Sequence, residues 1–189
     1  MDTDKRCFGS HSPLYSRYHD EEWGVPVYDD QKLFEMLILE GCQAGLSWEL
    51  ILNKRESYRS LYHRFDPKKV AAMPDKELEG LTFNPSIIRN RRKIFAARQN
   101  ANVFLEIQNE FGSFSKYVWG FIGHSPIVNR WKSLKEVPCQ SDESLTISKD
   151  LKKRGMTFVG PKIIYSFMQA VGMIDDHLVD CPVKPKRVI

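Results

Sequence analysis

Near its end the chain reads DHLVDC, which places His177 and Cys181 four residues apart. Imidazole and thiolate at that spacing share one face of a helical turn, and both suit zinc. Two ligands are half of a tetrahedral set. The other clustered candidates lie at the opposite end of the chain, Cys7 and then His19 in YSRYHDEEWG. A set of Cys7, His19, His177 and Cys181 would leave no open coordination position, so such a site would be structural and would tie the chain ends together. Spacing alone leaves open that the four are unrelated core and surface residues. The gap of twelve between Cys7 and His19 is not a standard finger spacing.

A second stretch, GMTFVGPKIIYSFMQAVG (155–172), has the layout of two helices joined by a glycine-bearing hairpin. Backbone N–H groups at the start of a helix can hold a phosphate without reading bases. Lys152, Lys153, Arg154 and Lys162 surround the turn with positive charge, and Gly160 leaves room at the helix start. A plain helical turn with a solvated basic face fits the same residues. In a third stretch, LILEGCQAGLSW (37–48), Glu40 follows an apolar helical turn and precedes Trp48. A carboxylate in apolar surroundings beside an indole is a candidate acid or acceptor in a pocket. A surface glutamate at a helix end is the plainer alternative. Tyr15, Tyr18 and Trp23 form an aromatic cluster near His19, and such clusters are more often core than pocket.

The elements that must position these residues are helical. Apolar residues recur at spacings of three and four, with helix punctuation between them. DDQKLFEMLILEG opens on Asp29 or Asp30 as cap. SWELILNKRESYRSLYHRF opens on Ser47 and is expected to bury Leu50, Ile51, Tyr58, Leu61 and Tyr62. DPKKVAAM has Asp66 as cap with Pro67 in the first turn. NPSIIRNRRKIFAARQNANVFLEIQNEFG is expected to start in the same way, on Asn84 and Pro85, and to stop at Gly112. SFSKYVWGFI, DESLTISKDLKKRG and GPKIIYSFMQAVG follow, for about eight helices in all.

The 189 residues read as a single domain, 1–189, with 42% apolar and 12% aromatic residues, enough for a real core. No apolar run reaches the ~18 residues of a membrane span, and the charged start MDTDKRC shows no signal segment. Four widely spaced cysteines favour a reducing cytoplasm over a disulfide framework. A net charge of +4 fits an ordinary surface as well as a nucleic-acid partner, although RNRRK and KDLKKRG concentrate it.

Taken together, these stretches resemble one family, DNA-3-methyladenine glycosylase I, of the helix-hairpin-helix glycosylase superfamily. The resemblance runs nearly end to end. It is carried by PLYSRYHDEEWGVPVYDDQKLFEMLILEG, QAGLSW, FDPKKVAAM, IIRNRRKI, LKKRGMTFVGP, YSFMQAVG and DHLVDC. It implies an all-α fold of two helical lobes around a cleft, with one structural zinc on Cys7, His19, His177 and Cys181. It implies a base pocket of Glu40, Tyr18 and Trp48, with Glu40 the central catalytic group. The family often has a tryptophan shortly after the first zinc cysteine, whereas here Phe8 stands nearby and can stack in its place. DNA would meet Gly45, Leu46, Lys153, Gly160 and Lys162.

The implied reaction is hydrolysis of the N-glycosidic bond of 3-methyladenine in alkylated double-stranded DNA. The free base is released and an abasic site remains. The expected protein is a cytoplasmic, monomeric, monofunctional enzyme with no membrane partner. Asp175 and Asp176 are assigned no catalytic role, and no lysine stands out as a Schiff-base nucleophile. Two other classes remain: a module that binds alkylated bases without cutting, and a zinc-stabilised interaction domain. Release of free 3-methyladenine separates them from the enzyme.

Overall fold

The computed structural model describes residues 6–184. The first five residues, part of the charged start that shows no signal segment, lie outside the described residues, as do 185–189. The described chain is mostly helical. Its only strands are two of two residues each, β1 (Ile127–Val128) and β2 (Ile174–Asp175), which pair in parallel with Ile127 opposite Ile174. None of the described helices is long and apolar enough to cross a membrane.

The central element is α2 (Asp30–Gln43), which buries every residue from Leu33 to Cys42. Asp29 is its cap, accepting from the Lys32 amide at 2.8 Å. Asp30 has a different task. Its carboxylate accepts from the amides of Phe114 and Ser115, both at 2.8 Å, and so docks the start of α7 (Phe114–Gly120) onto α2. The chain then turns through Gly45 into α3 (Trp48–Leu61), where Ser47 accepts from the Leu50 amide. Ile51, Tyr58 and Tyr62 are buried as their spacing requires, and Leu61 is half-buried. Leu50, expected in the core, is 36% exposed because the first turn of α3 stands beside the exposed turn 45–47.

Asp66 caps α4 (Pro67–Ala71) by accepting from the amides of Lys68 and Lys69. The helix expected from Asn84 does not begin there. The Asn84 side chain accepts from the amide and hydroxyl of Ser86 in a local turn. The helix α6 (Arg91–Phe111) starts six residues later, capped by Asn90, and runs unbroken to Gly112 in the left-handed conformation. Two short helices have weak signals in the sequence. α1 (Pro13–Glu21) has no capping side chain, and α5 (Asp75–Leu81) follows Pro74.

The chain ends with α8 (Asp142–Lys153), a hairpin, and α9 (Pro161–Ala170), which packs on α8 and α2. A capping box between Ser141 and Ser144 starts α8. The hairpin is held from two sides. The Ser148 hydroxyl donates to the Val159 carbonyl at 2.6 Å, and the Asn100 amide pairs with both backbone groups of Thr157 at 2.9 Å.

Candidate active site and metal centre

A cavity of about 240 Å³ opens between α1, the end of α2, the start of α3 and α9. That is far more space than one water needs. Glu40 lies in the last turn of α2 and is 3% exposed. Its Oε2 is buried without a hydrogen-bond partner. Burial raises its pKa to about 8, so at neutral pH the empty site holds mostly the uncharged acid. Trp48, in the first turn of α3, has a buried indole N–H that is also unpartnered. The Tyr18 ring lies 5.5 Å from the Trp48 ring, with Tyr15 behind it at 6.5 Å. Burial and the neighbouring Glu40 hold the Tyr18 phenol well above its ordinary range.

Phe8 completes an aromatic wall, 5.0 Å from Tyr15 and 4.9 Å from Trp23. The structure thus brings Glu40, Tyr18, Trp48 and Phe8 to one cavity, as the resemblance implies. It adds Tyr15 and Trp23, which sequence reasoning places more readily in the core. Gln43, Leu134, Val137, Ser166 and Gln169 also line the cavity and carry no comparable signal in the sequence. Leu134 and Val137 come from an irregular loop. That loop is anchored where the Trp131 indole and the Asn129 amide donate to Asp176, both at 2.7 Å. The other oxygen of Asp176 accepts from the Tyr165 hydroxyl and the Gln169 amide. A carboxylate with four donors is a structural hub.

Gly45 and Leu46 stand exposed just beyond α2. Lys153 and Lys162 are exposed on the hairpin and do not line the cavity. Gly160 has ordinary extended backbone angles, and a Cβ there would meet nothing within 4 Å. The fold therefore does not require a glycine at that position. Arg154 is committed to Asp150 and Glu110.

Cys7, His19 and Cys181 are buried, with ligand atoms within 4.8 Å of one another. His177 is not in that group of three, but its ring lies 5.0 Å from that of His19. The donor set fits a metal ion on two counts. The Nδ1 of His19 is bound to Asp20 and that of His177 to Asp175, each at 2.8 Å, which leaves the Nε2 atoms for ligation. The Nε2 of His177 is a buried atom with no partner. Burial also pushes the Cys7 thiol up to about 12, where it stays protonated unless a cation is present. Gly24, with φ of +76°, makes room for the imidazole, since a Cβ there would fall 2.8 Å from His177 Cε1.

The methyladenine glycosylase family model matches residues 8–184. The chain is 50% identical over 178 residues to DNA-3-methyladenine glycosylase 1 of Escherichia coli, covering 94% of this chain and 95% of that protein. It is 48% identical over 171 residues to DNA-3-methyladenine glycosylase of Haemophilus influenzae, covering 90% and 92%. Among solved structures, 3-methyladenine DNA glycosylase I of Staphylococcus aureus, described for its recognition of 3-methyladenine, superposes with a TM-score of 0.94. It is 39% identical, and 98% of each chain is covered.

Proposed function

The chain belongs to the methyladenine glycosylase family, and from that premise we propose that the cavity of Glu40, Tyr18 and Trp48 is where the damaged base is held. The protein is a monofunctional glycosylase of base-excision repair, which removes 3-methyladenine from alkylated DNA by hydrolysing the N-glycosidic bond. The observation that carries the site assignment is the pair of buried, unpartnered polar atoms on its aromatic walls, Glu40 Oε2 and Trp48 Nε1. Native proteins rarely leave such atoms unpaired, and a carboxyl oxygen and an indole N–H on residues that line one cavity suit a polar ligand.

The substrate explains why so few groups suffice. Methylation at N3 makes the nucleotide's base cationic and its glycosidic bond weak, so departure needs little protonation. The protein must extract the base and choose it. Extraction costs a few kcal/mol of unstacking. Choice follows from charge: Tyr18 and Trp48 offer aromatic faces worth roughly 0.5–2 kcal/mol each to a cation. The C-terminal end of α2, where Glu40 sits, carries the negative end of the helix dipole. An entering cation lowers the pKa of Glu40, whose proton passes to solvent water, and leaves a carboxylate opposite positive charge. Neutral adenine can stack on the same rings but gains less, since it lacks the charge.

The α8–hairpin–α9 unit is read as a helix-hairpin-helix that holds the DNA backbone, with Gly45 and Leu46 entering the duplex where the nucleotide leaves. Cys7, His19, His177 and Cys181 hold one structural zinc, whose four bonds fasten the chain ends. Free thiols in that role suit a reducing cytoplasm. The enzyme is read as a monomer.

Incubation with methylated duplex tests the activity. Free 3-methyladenine should appear and the strands should stay intact. Tight binding without release would mark a recognition module instead. The hairpin reading carries its own expectation. Each lysine seated on a phosphate contributes about −0.9 to the slope of log affinity against log salt. Replacing both Lys153 and Lys162 by alanine should flatten that slope by about 2, alike on duplexes of different sequence. An unchanged slope in salt titrations would place the DNA elsewhere.

A further inference from the structure

The basic stretch RNRRK is used neither by the cavity nor by the hairpin, and its last residue is buried. Lys93 stands in the first turn of α6 and is 8% exposed. Its ammonium donates to the carbonyl of Cys42 at 2.8 Å and to that of Ala44 at 2.7 Å. These carbonyls end α2 and begin the turn after it, where backbone acceptors lack helical partners and the dipole is negative. No carboxylate pairs with Lys93 among the described residues. A buried ammonium is costly unless its donors are used, so this one is committed to the turn.

The turn has little else to hold it. The bond from the Ala44 amide to the Gly41 carbonyl is long, 3.4 Å, and only the bond from Leu46 to Gln43, 2.6 Å, closes the loop. Gly45 takes φ of +80° with open space around it, and Leu46 is 37% exposed. The turn lies between the two cavity residues Glu40 and Trp48, yet its residues 45–47 are exposed.

We propose that Lys93 is a positioning residue for base extraction, holding the turn Ala44–Ser47 in the form that presents Leu46 to the DNA. This rests on the reading of Gly45 and Leu46 as the part that enters the duplex. Leu46 fills a gap only where a stacked, paired nucleotide has left one. Lys93 therefore matters on duplex DNA and not on single strands or the free base.

Lys93→Met keeps the stem and removes the charge and donors. The full-length, zinc-loaded variant is compared with wild type in single-turnover excision from methylated duplex and from the same strand alone, and in affinity for free 3-methyladenine. The duplex rate should fall about tenfold, with single-strand rate and base affinity within about twofold, since only the duplex requires extraction from a stack. In a Leu46→Ala background, Lys93→Met should cost less than about twofold more, because the two act as one unit. Equal losses on duplex and single strand, full duplex activity, or additive losses would each overturn the proposal. If Lys93→Met does not fold, Lys93→Arg, which keeps the charge on a bulkier head, serves the same comparison: duplex-specific loss supports the proposal, and uniform loss or none overturns it. Failure of the wild type to release the base from either substrate would instead remove the reading on which the proposal rests.

Discussion

Glu40→Gln should weaken the hold on 3-methyladenine by roughly tenfold to a hundredfold, and the same change should make the free protein more resistant to alkaline pH. The first effect follows from a lost charge-assisted hydrogen bond, worth roughly 1.5–3 kcal/mol. Excision should slow less than binding weakens, because the substrate's own charge already loosens the bond. The second effect follows from linkage. The carboxyl titrates near 4.5 when unfolded and near 8 in the native protein. The folded state therefore binds the extra proton between those values, and stability falls as pH rises through them. Across about pH 5 to pH 8 the penalty grows to the order of 3 kcal/mol in wild type and is absent in the glutamine variant. Denaturant melts of both proteins at the two pH values read the difference. Parallel pH responses would show that Glu40 is not desolvated as the fold implies. A variant that unfolds outright would make Glu40 a structural residue.

Removal of the metal should be the most damaging change to the fold. Protein purified without added metal should contain about one zinc per chain. Cys181→Ser should lose most of it and several kcal/mol of stability, on the order expected when a four-ligand site is opened. The damage has a direction. Phe8 follows the proposed ligand Cys7 and packs edge-on against His19, 4.8 Å between ring centres, so the aromatic wall it forms should loosen first. The hairpin is held by Asn100 and Ser148, neither of which is a proposed ligand. DNA binding should then survive in the folded fraction while base affinity falls. A fully folded, metal-free wild type would contradict the zinc assignment.

What could be read from the sequence follows the range of the forces involved. Caps are local, so Asp29, Ser47 and Asp66 are legible as helix starts, and the structure has each accepting from its own helix. Asn84 with Pro85 carries the same local signal and misleads, because Ser86 captures the side chain before a helix can form. Asp30 caps α7, about eighty residues away, which no pattern around position 30 can reveal. The site divides in the same way. Glu40 and Trp48 lie on either side of one short turn, and Tyr18 and Phe8 stand beside candidate ligands. Leu134 and Val137 reach the cavity from a loop without period, anchored in part on the distant buried carboxylate of Asp176. Three of the proposed ligands cluster, and His177 faces them with an unpartnered nitrogen, although they lie at opposite ends of the chain.

The central claim is that the two unpartnered atoms in the aromatic cavity are completed by the damaged base. A structure of this chain with 3-methyladenine bound tests it most directly. The account predicts the base against the aromatic walls of Tyr18 and Trp48, in hydrogen-bonding contact with Glu40 Oε2 and within reach of the Trp48 N–H. A base bound elsewhere, with Glu40 Oε2 still buried and unpaired, would contradict it.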